Sequence, residues 1–291
     1  MPDKKRNKVA DIYKIQNRKS NLFNFNIVFL LIFLNVIIFV AAIILTFIFG
    51  EFQIFDLLAL KPDYISQGKN LWTLLTSMFL HANFAHLFFN MISLFFVGTL
   101  LEKIIGKKRF FVFYILSGLF AGLFFALLSG FFGSGIIGEK IFGNPMTFGV
   151  GASGAIFGLV GILAVLIPKK KIYLIGGPLI AITAQAIFES IFPANPFSNI
   201  LNLLISIYIF FSIFSIFSFN PKFKKFAIPI EMPFWLIPII AIVPLIIIGL
   251  FVELPIGNMA HLGGLIAGLS YGFYLKNKYK RKTEYIQQIF R

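Results

Sequence analysis

The chain has no cysteine, so any covalent chemistry falls to Ser, Thr, Lys or a carboxylate. One serine is set apart by its neighbours. Ser153 lies in Gly149-Val-Gly-Ala-Ser-Gly-Ala-Ile-Phe-Gly158, flanked by glycines at 149, 151, 154 and 158. Glycine permits backbone turns closed to other residues and lets helices approach closely. A serine placed there is presented at a helix N-terminus, whose free N–H groups favour a developing oxyanion. A base is at hand. Of only three histidines, His261 opens Ala260-His261-Leu-Gly-Gly264-Leu-Ile-Ala-Gly268. Ala260, Gly264 and Gly268 repeat every four residues as a smooth strip, with His261 on nearly the same face. A neutral histidine can take the serine proton and return it to a leaving amine. His86 and Asn90, four apart, face the same way as paired donors. His81 comes five residues earlier, ~140° away on a continuous helix, and is expected nearer the loop. Each feature also has a plainer reading: a packing seam with an incidental serine, and histidine and asparagine as interhelical hydrogen-bonding glue.

The elements that hold these residues are set by composition. Hydrophobic residues make up 58% of the 291 and charged ones only 13%, against about 25% charged in soluble proteins. Apolar stretches of membrane length fill most of the chain from Ile27 to Leu275, so the bilayer is the expected solvent. Eight segments read as spans, approximately 27–49, 78–101, 110–130, 149–167, 172–190, 199–218, 233–252 and 258–275. With the N-terminus in the cytoplasm, every Lys and Arg except Lys61, Lys69 and Lys140 falls on the inner side, a strong positive-inside bias. The net charge of +15 therefore reads as membrane topology and not as a nucleic-acid-binding face. Both termini are expected inside, and the first span is too long for a cleaved signal sequence. Parity supports a single site: three crossings separate the Ser153 and His261 segments, so both open helices running from outside to inside. Ser153, His261, His86 and Asn90 then share one depth.

At this point the residues resemble the rhomboid family of intramembrane serine proteases. Gly151-Ala-Ser-Gly154 is similar to its GxSG motif, His81-Ala-Asn-Phe-Ala-His86-Leu-Phe-Phe-Asn90 to its HxxxxHxxxN motif, and Ala260-His261-Leu-Gly-Gly-Leu-Ile-Ala-Gly268 to its AHxxGxxxG motif. The resemblance covers about Trp72 to Gly268. It implies a Ser153–His261 dyad without a third carboxylate. It also implies an oxyanion and substrate-binding site from His86, Asn90, Gly151 and Ala152, with support from His81, Phe157, Gly154, Gly264, Gly268 and Glu102. The implied substrates are transmembrane proteins cut in or near a membrane segment, with the bilayer as surroundings and no metal, cofactor or nucleic acid. The implied fold is an all-α polytopic rhomboid-like bundle of about eight transmembrane helices: a six-helix core plus an inserted pair, about 172–220. A basic cytoplasmic segment, 1–24, precedes the membrane domain of 25–276, and a basic tail, 277–291, follows it. The location is a multi-pass membrane protein, in the cell membrane if the source is prokaryotic.

The chain departs from the family pattern in three places. Trp72-Thr73 stands where the family often has Trp-Arg, so contacts of that arginine are lost or come from elsewhere. Phe157 stands where a tyrosine often stacks on the catalytic histidine. Three spans separate serine from histidine where one is common. The alternative function is a catalytically inactive rhomboid-like protein that binds transmembrane segments for quality control; such a binder has no need of Ser153, His261, His86 and Asn90 together. An eight-span proton-coupled transporter is a third reading, disfavoured because the span centres carry no ionisable residues.

Overall fold

The computed structural model describes residues 26–192, 196–217, 225–251 and 257–290; the basic segment 1–24 lies outside them. Helix α1 (Ile27–Phe49) has 23 residues, about 35 Å at the usual rise and enough to cross a hydrocarbon core of about 30 Å. Gly50, at φ 91°, ends it. The connection that follows holds α2 (Glu51–Leu58), α3 (Pro62–Ser66) and the single turn α4 (Thr73–Thr76). Next, α5 (Phe84–Ser93) and α6 (Thr99–Ile105) form one rod through a π-helical turn at Leu94–Gly98. Gly106, at φ 86°, closes that rod and starts α7 (Lys107–Phe132). The short α8 (Gly135–Phe142) leads to α9 (Ser153–Leu166).

Beyond α9 the chain forms β1 (Lys171–Ile175), α10 (Gly176–Ile191), α11 (Phe197–Phe217) and β2 (Pro229–Pro233). It ends in α12 (Ile237–Phe251), α13 (Asn258–Lys278) and α14 (Lys280–Ile289). Among the described residues, three helices are long and apolar enough to cross a membrane: Ile27–Phe49, the Phe84–Ile105 rod and Lys107–Phe132.

The expectation of an all-α fold is corrected by one small sheet. Strands β1 and β2 pair antiparallel, from Lys171 opposite Pro233 to Ile175 opposite Pro229. The apolar run expected as a helix from 172 begins as a strand because Ile172 and Tyr173 suit a pleated surface and find a partner strand there. The helix starts only at Gly176. Lys171 Nζ lies 2.6 Å from a Glu231 carboxylate oxygen on the neighbouring strand. This contact raises the lysine above its ordinary pKa and lowers the carboxyl below its own. The pair is solvent-exposed and correspondingly screened.

Helix α9 is the axis of the bundle. From Gly154 to Leu166 every side chain except Phe157 is buried, and its main partners are α13 and α7. This fits its sequence, which is apolar around the whole circumference instead of along one stripe. Helix α12 packs on α9, α13 and α8, whereas α10 and α11 pack chiefly on each other. The first helix is tied in from a distance. Glu102, buried at the end of the α5–α6 rod, accepts the backbone N–H groups of Ile27 at 3.3 Å and Val28 at 3.1 Å. The Asn26 side chain makes no capping bond, so Glu102 supplies the acceptors α1 lacks, at about 0.5–1.5 kcal/mol per hydrogen bond.

Candidate active site

Gly151, Ala152 and Ser153 enter α9 through an unusual backbone. Gly151 sits at φ 119°, and its N–H donates to the Ser77 carbonyl at 2.8 Å. A side chain there would be strained, and it would also collide: a Cβ on Gly151 would stand 2.8 Å from His86 Nε2. Glycine at 151 therefore lets the His86 ring reach the start of α9. Just upstream, Gly149 and Leu60 exchange backbone hydrogen bonds of 2.7 and 3.0 Å, pinning the segment to the α2–α3 connection. Ala152 is fully buried and Ser153 half-buried. As the first residue of α9, Ser153 carries one of the N–H groups that have no acceptor within the helix.

The Ser153 hydroxyl oxygen lies 2.8 Å from His261 Nε2. The glycine strips make this approach. A Cβ on Gly264 would overlap the Gly154 carbonyl, and one on Gly268 the Gly158 carbonyl. A Cβ on Gly154 itself would lie 2.7 Å from that of Ala121 on α7. Both α9 and α13 therefore touch backbone to backbone, and His261, three residues before Gly264, is carried to the head of α9. Phe157 stacks on the imidazole, with ring centroids 4.4 Å apart and planes within 15°. The stack survives loss of the tyrosine hydroxyl because it needs only the ring face. Among the described residues His261 Nδ1 is buried with no hydrogen-bond partner, and no carboxylate orients the ring from behind.

His86 approaches the same turn beside Gly151 and Ser153. Asn83 caps α5 by accepting the His86 backbone N–H at 2.8 Å. His86 Nδ1 faces the Ala82 N–H at 3.5 Å, which leaves the proton on Nε2, the nitrogen turned towards Gly151. Asn90 is buried and donates a side-chain N–H to the His86 carbonyl at 2.8 Å; no hydrogen bond joins it to Ser153. His81 is placed differently from its helical-phase expectation. Residues 80–83 precede the helix, so His81 is not rotated away along it. Its ring is buried 5.1 Å from that of His86, with Nδ1 against the Phe79 carbonyl at 3.3 Å. Asn83, three residues before His86 and ahead of an apolar run, is the N-cap signal that would have revealed this.

The loop that lacks the family arginine is held by other groups. Trp72 Nε1 donates to the Leu57 carbonyl at 2.9 Å, and Thr76 Oγ1 to that of Leu58 at 2.7 Å. Tyr64 OH donates to Asp56 at 3.0 Å. Thr73 turns inward and bonds the Asn70 carbonyl at 2.7 Å.

Fold and site together define a class: a helical membrane protein with a Ser–His pair at the head of its most buried helix. A profile of the rhomboid domain matches residues 68–207 and 204–278, and the chain belongs to the rhomboid family. It is 40% identical over 94 residues to the putative rhomboid protease YdcA of Bacillus subtilis, covering 31% of this chain and 39% of that protein. It is 36% identical over 117 residues to rhomboid protease GluP of the same organism, covering 40% of this chain and 20% of the relative. With rhomboid protease AarA of Providencia stuartii the identity is 36% over 104 residues, 35% and 36% of the two chains. The matched stretch thus spans well under half of each relative.

Proposed function

We propose that this chain is an intramembrane serine protease that hydrolyses peptide bonds in or near transmembrane segments of other membrane proteins. The observation that carries the reading is the 2.8 Å approach of Ser153 Oγ to His261 Nε2, within the reach a general base needs. In the proposed reaction His261 Nε2 removes the hydroxyl proton as Ser153 Oγ bonds to the scissile carbonyl carbon. The carbonyl oxygen becomes an oxyanion and receives the Ser153 N–H and the His86 Nε2–H. Asn90 contributes its second amide N–H once substrate is bound. Collapse of the intermediate breaks the C–N bond, and the imidazolium returns its proton to the leaving amine. Water, activated by the same histidine, then frees the acyl group from Ser153. Phe157 holds the imidazole plane in place of an orienting carboxylate.

We read the chain as crossing the bilayer eight times with both termini cytoplasmic. Residues from about 172 to 220 form an inserted pair on a six-helix core. This reading is supported by the charge bias, by crossing parity and by the packing of α12, not of α10 or α11, against α9 and α13. The test is reaction of the purified protein with a fluorophosphonate probe. Labelling that vanishes in Ser153→Ala, together with cleavage of a model transmembrane substrate by the unsubstituted protein, is expected. Absence of both labelling and cleavage in the unsubstituted protein overturns the assignment.

A further inference from the structure

An apolar groove of about 470 Å³ runs along α13 from Leu262 to Lys276, between α12 and the C-terminal end of α9. Along α13 it is lined by Leu262, Leu265, Leu269 and Phe273, and it ends at Lys276. Fourteen helical rises from Leu262 to Lys276 make it about 21 Å long, somewhat more than one leaflet's hydrocarbon depth of about 15 Å. Its basic end is specific in shape. Lys276 is exposed and has no carboxylate partner among the described residues. Pro168 borders both the groove and a second cavity of about 180 Å³, whose walls include Lys169, Lys170, Glu284 and Gln288. Trp235 stands at the same junction, donating its backbone N–H to the Pro168 carbonyl at 3.2 Å, with its side chain half-exposed on the groove.

We infer that this composite cavity is a seat for one anionic phospholipid. An acyl chain lies along α13 from Phe273 towards Leu262, and the phosphate sits between Lys169 and Lys276. The rest of the headgroup enters the smaller cavity. Glu284 in that cavity disfavours a second negative charge there and accepts hydroxyl donors, so a glycerol headgroup with a single phosphate charge fits best. Basic residues gather on this end of the protein for topological reasons, but a diffuse positive face has no groove leading away from it. The seat does not rest on proteolytic activity.

The chain's two tryptophans supply the experiment. In full-length Trp72→Phe protein, Trp235 is the sole tryptophan and borders the seat. The protein is reconstituted in phosphatidylcholine vesicles containing increasing fractions of acyl-brominated phosphatidylglycerol or acyl-brominated phosphatidylcholine. Half-maximal quenching is expected at about a thirty-fold lower fraction of the anionic lipid, the preference two lysines confer at about 1 kcal/mol each. The double variant Lys169→Gln/Lys276→Gln is expected to lose that preference, and Lys280→Gln/Lys282→Gln to keep it. Equal quenching by the two lipids overturns the seat. So does a preference that survives the first pair or is lost equally with the second, because the attraction is then a property of the whole basic face.

Discussion

Two pairs of helices lie in sequence between Ser153 and the chain end, and they are built by opposite means. At the α9–α13 seam the side chains have been removed: glycines at 154, 158, 264 and 268 bring one backbone against another, and α9 is buried almost throughout. The α10–α11 pair is joined by side chains and a sheet. Gln185 bonds Asn202 across it, β1 and β2 clamp its base, and Ile200, Leu203, Leu204 and Ile207 stay more than half exposed. A seam of glycines has no rotamers to adjust and positions what it carries, which here is Ser153 and His261. A pair held by a few polar contacts and a ladder can stand on the core without determining its geometry.

The sharpest way to break this contrast is a methyl-bearing residue in the seam. Gly264→Val drives its Cβ into the Gly154 carbonyl, and neither backbone can yield without moving Ser153 or His261. Loss of stability above about 3 kcal/mol is expected. Where the protein still folds, fluorophosphonate labelling falls by at least about 10²-fold, since displacement of about 1 Å at a reacting centre has that effect. A volume change in the outer pair, Leu204→Val, is expected to shift stability by less than about 0.5 kcal/mol. Thermal unfolding and labelling rates of the two purified variants, measured side by side, decide it; comparable losses in both would remove the distinction.

Next in size is His86→Ala. If His86 donates to the oxyanion, substrate turnover falls about 10²–10³-fold while KM changes little, because the bond strengthens only in the transition state. A loss confined to KM would make His86 a substrate-binding residue instead. Smaller again is Phe157→Leu, which keeps apolar bulk and removes the ring face on His261. Aromatic stacking of this kind is worth roughly 0.5–1.5 kcal/mol, so kcat is expected to fall about three- to ten-fold. Phe157→Tyr is expected to hold kcat within about two-fold, and a larger loss there would mean the hydroxyl clashes.

The same contrast explains what the sequence disclosed. The seam was legible because glycines repeated every four residues and flanked a serine in one segment and a histidine in another; such a pattern has few uses besides close packing. Glu102 was legible as a position but not as a cap, because its partners, Ile27 and Val28, lie some 75 residues away and are backbone groups with no residue type to announce them. The β1–β2 ladder was not legible. Lys171–Ile175 merges into an apolar run whose periodicity cannot separate a buried strand from the start of a helix. Its partner, Pro229–Pro233, is short and bounded by prolines that argue against a strand. His81 lies in the loop before α5, as expected, but the helical phase that turns it ~140° from His86 does not extend across Asn83, the residue that caps the helix.

The smallest effect expected is also the most telling about the outer pair. Ile175 and Pro229 face each other at the end of the ladder, so the chain can be closed there by a two-residue Asn-Gly turn, which suits the twist of antiparallel strands. Excising residues 176–228 in this way removes α10 and α11 and leaves β1, β2 and the Lys171–Glu231 pair intact. The ladder of the shortened chain keeps its charge pair across neutral pH. Glu231, with its carboxyl lowered, holds its contribution until pH falls through that lowered value; Lys171, raised, holds its own until pH rises through its higher one. Because α12 and α13 reach α9 without help from the excised helices, Ser153 labelling is expected within about three-fold of the full chain, under 1 kcal/mol in barrier. Loss beyond about 10²-fold, with the excised protein still folded by circular dichroism, would make the outer pair part of the active unit and erase the difference between the two regions.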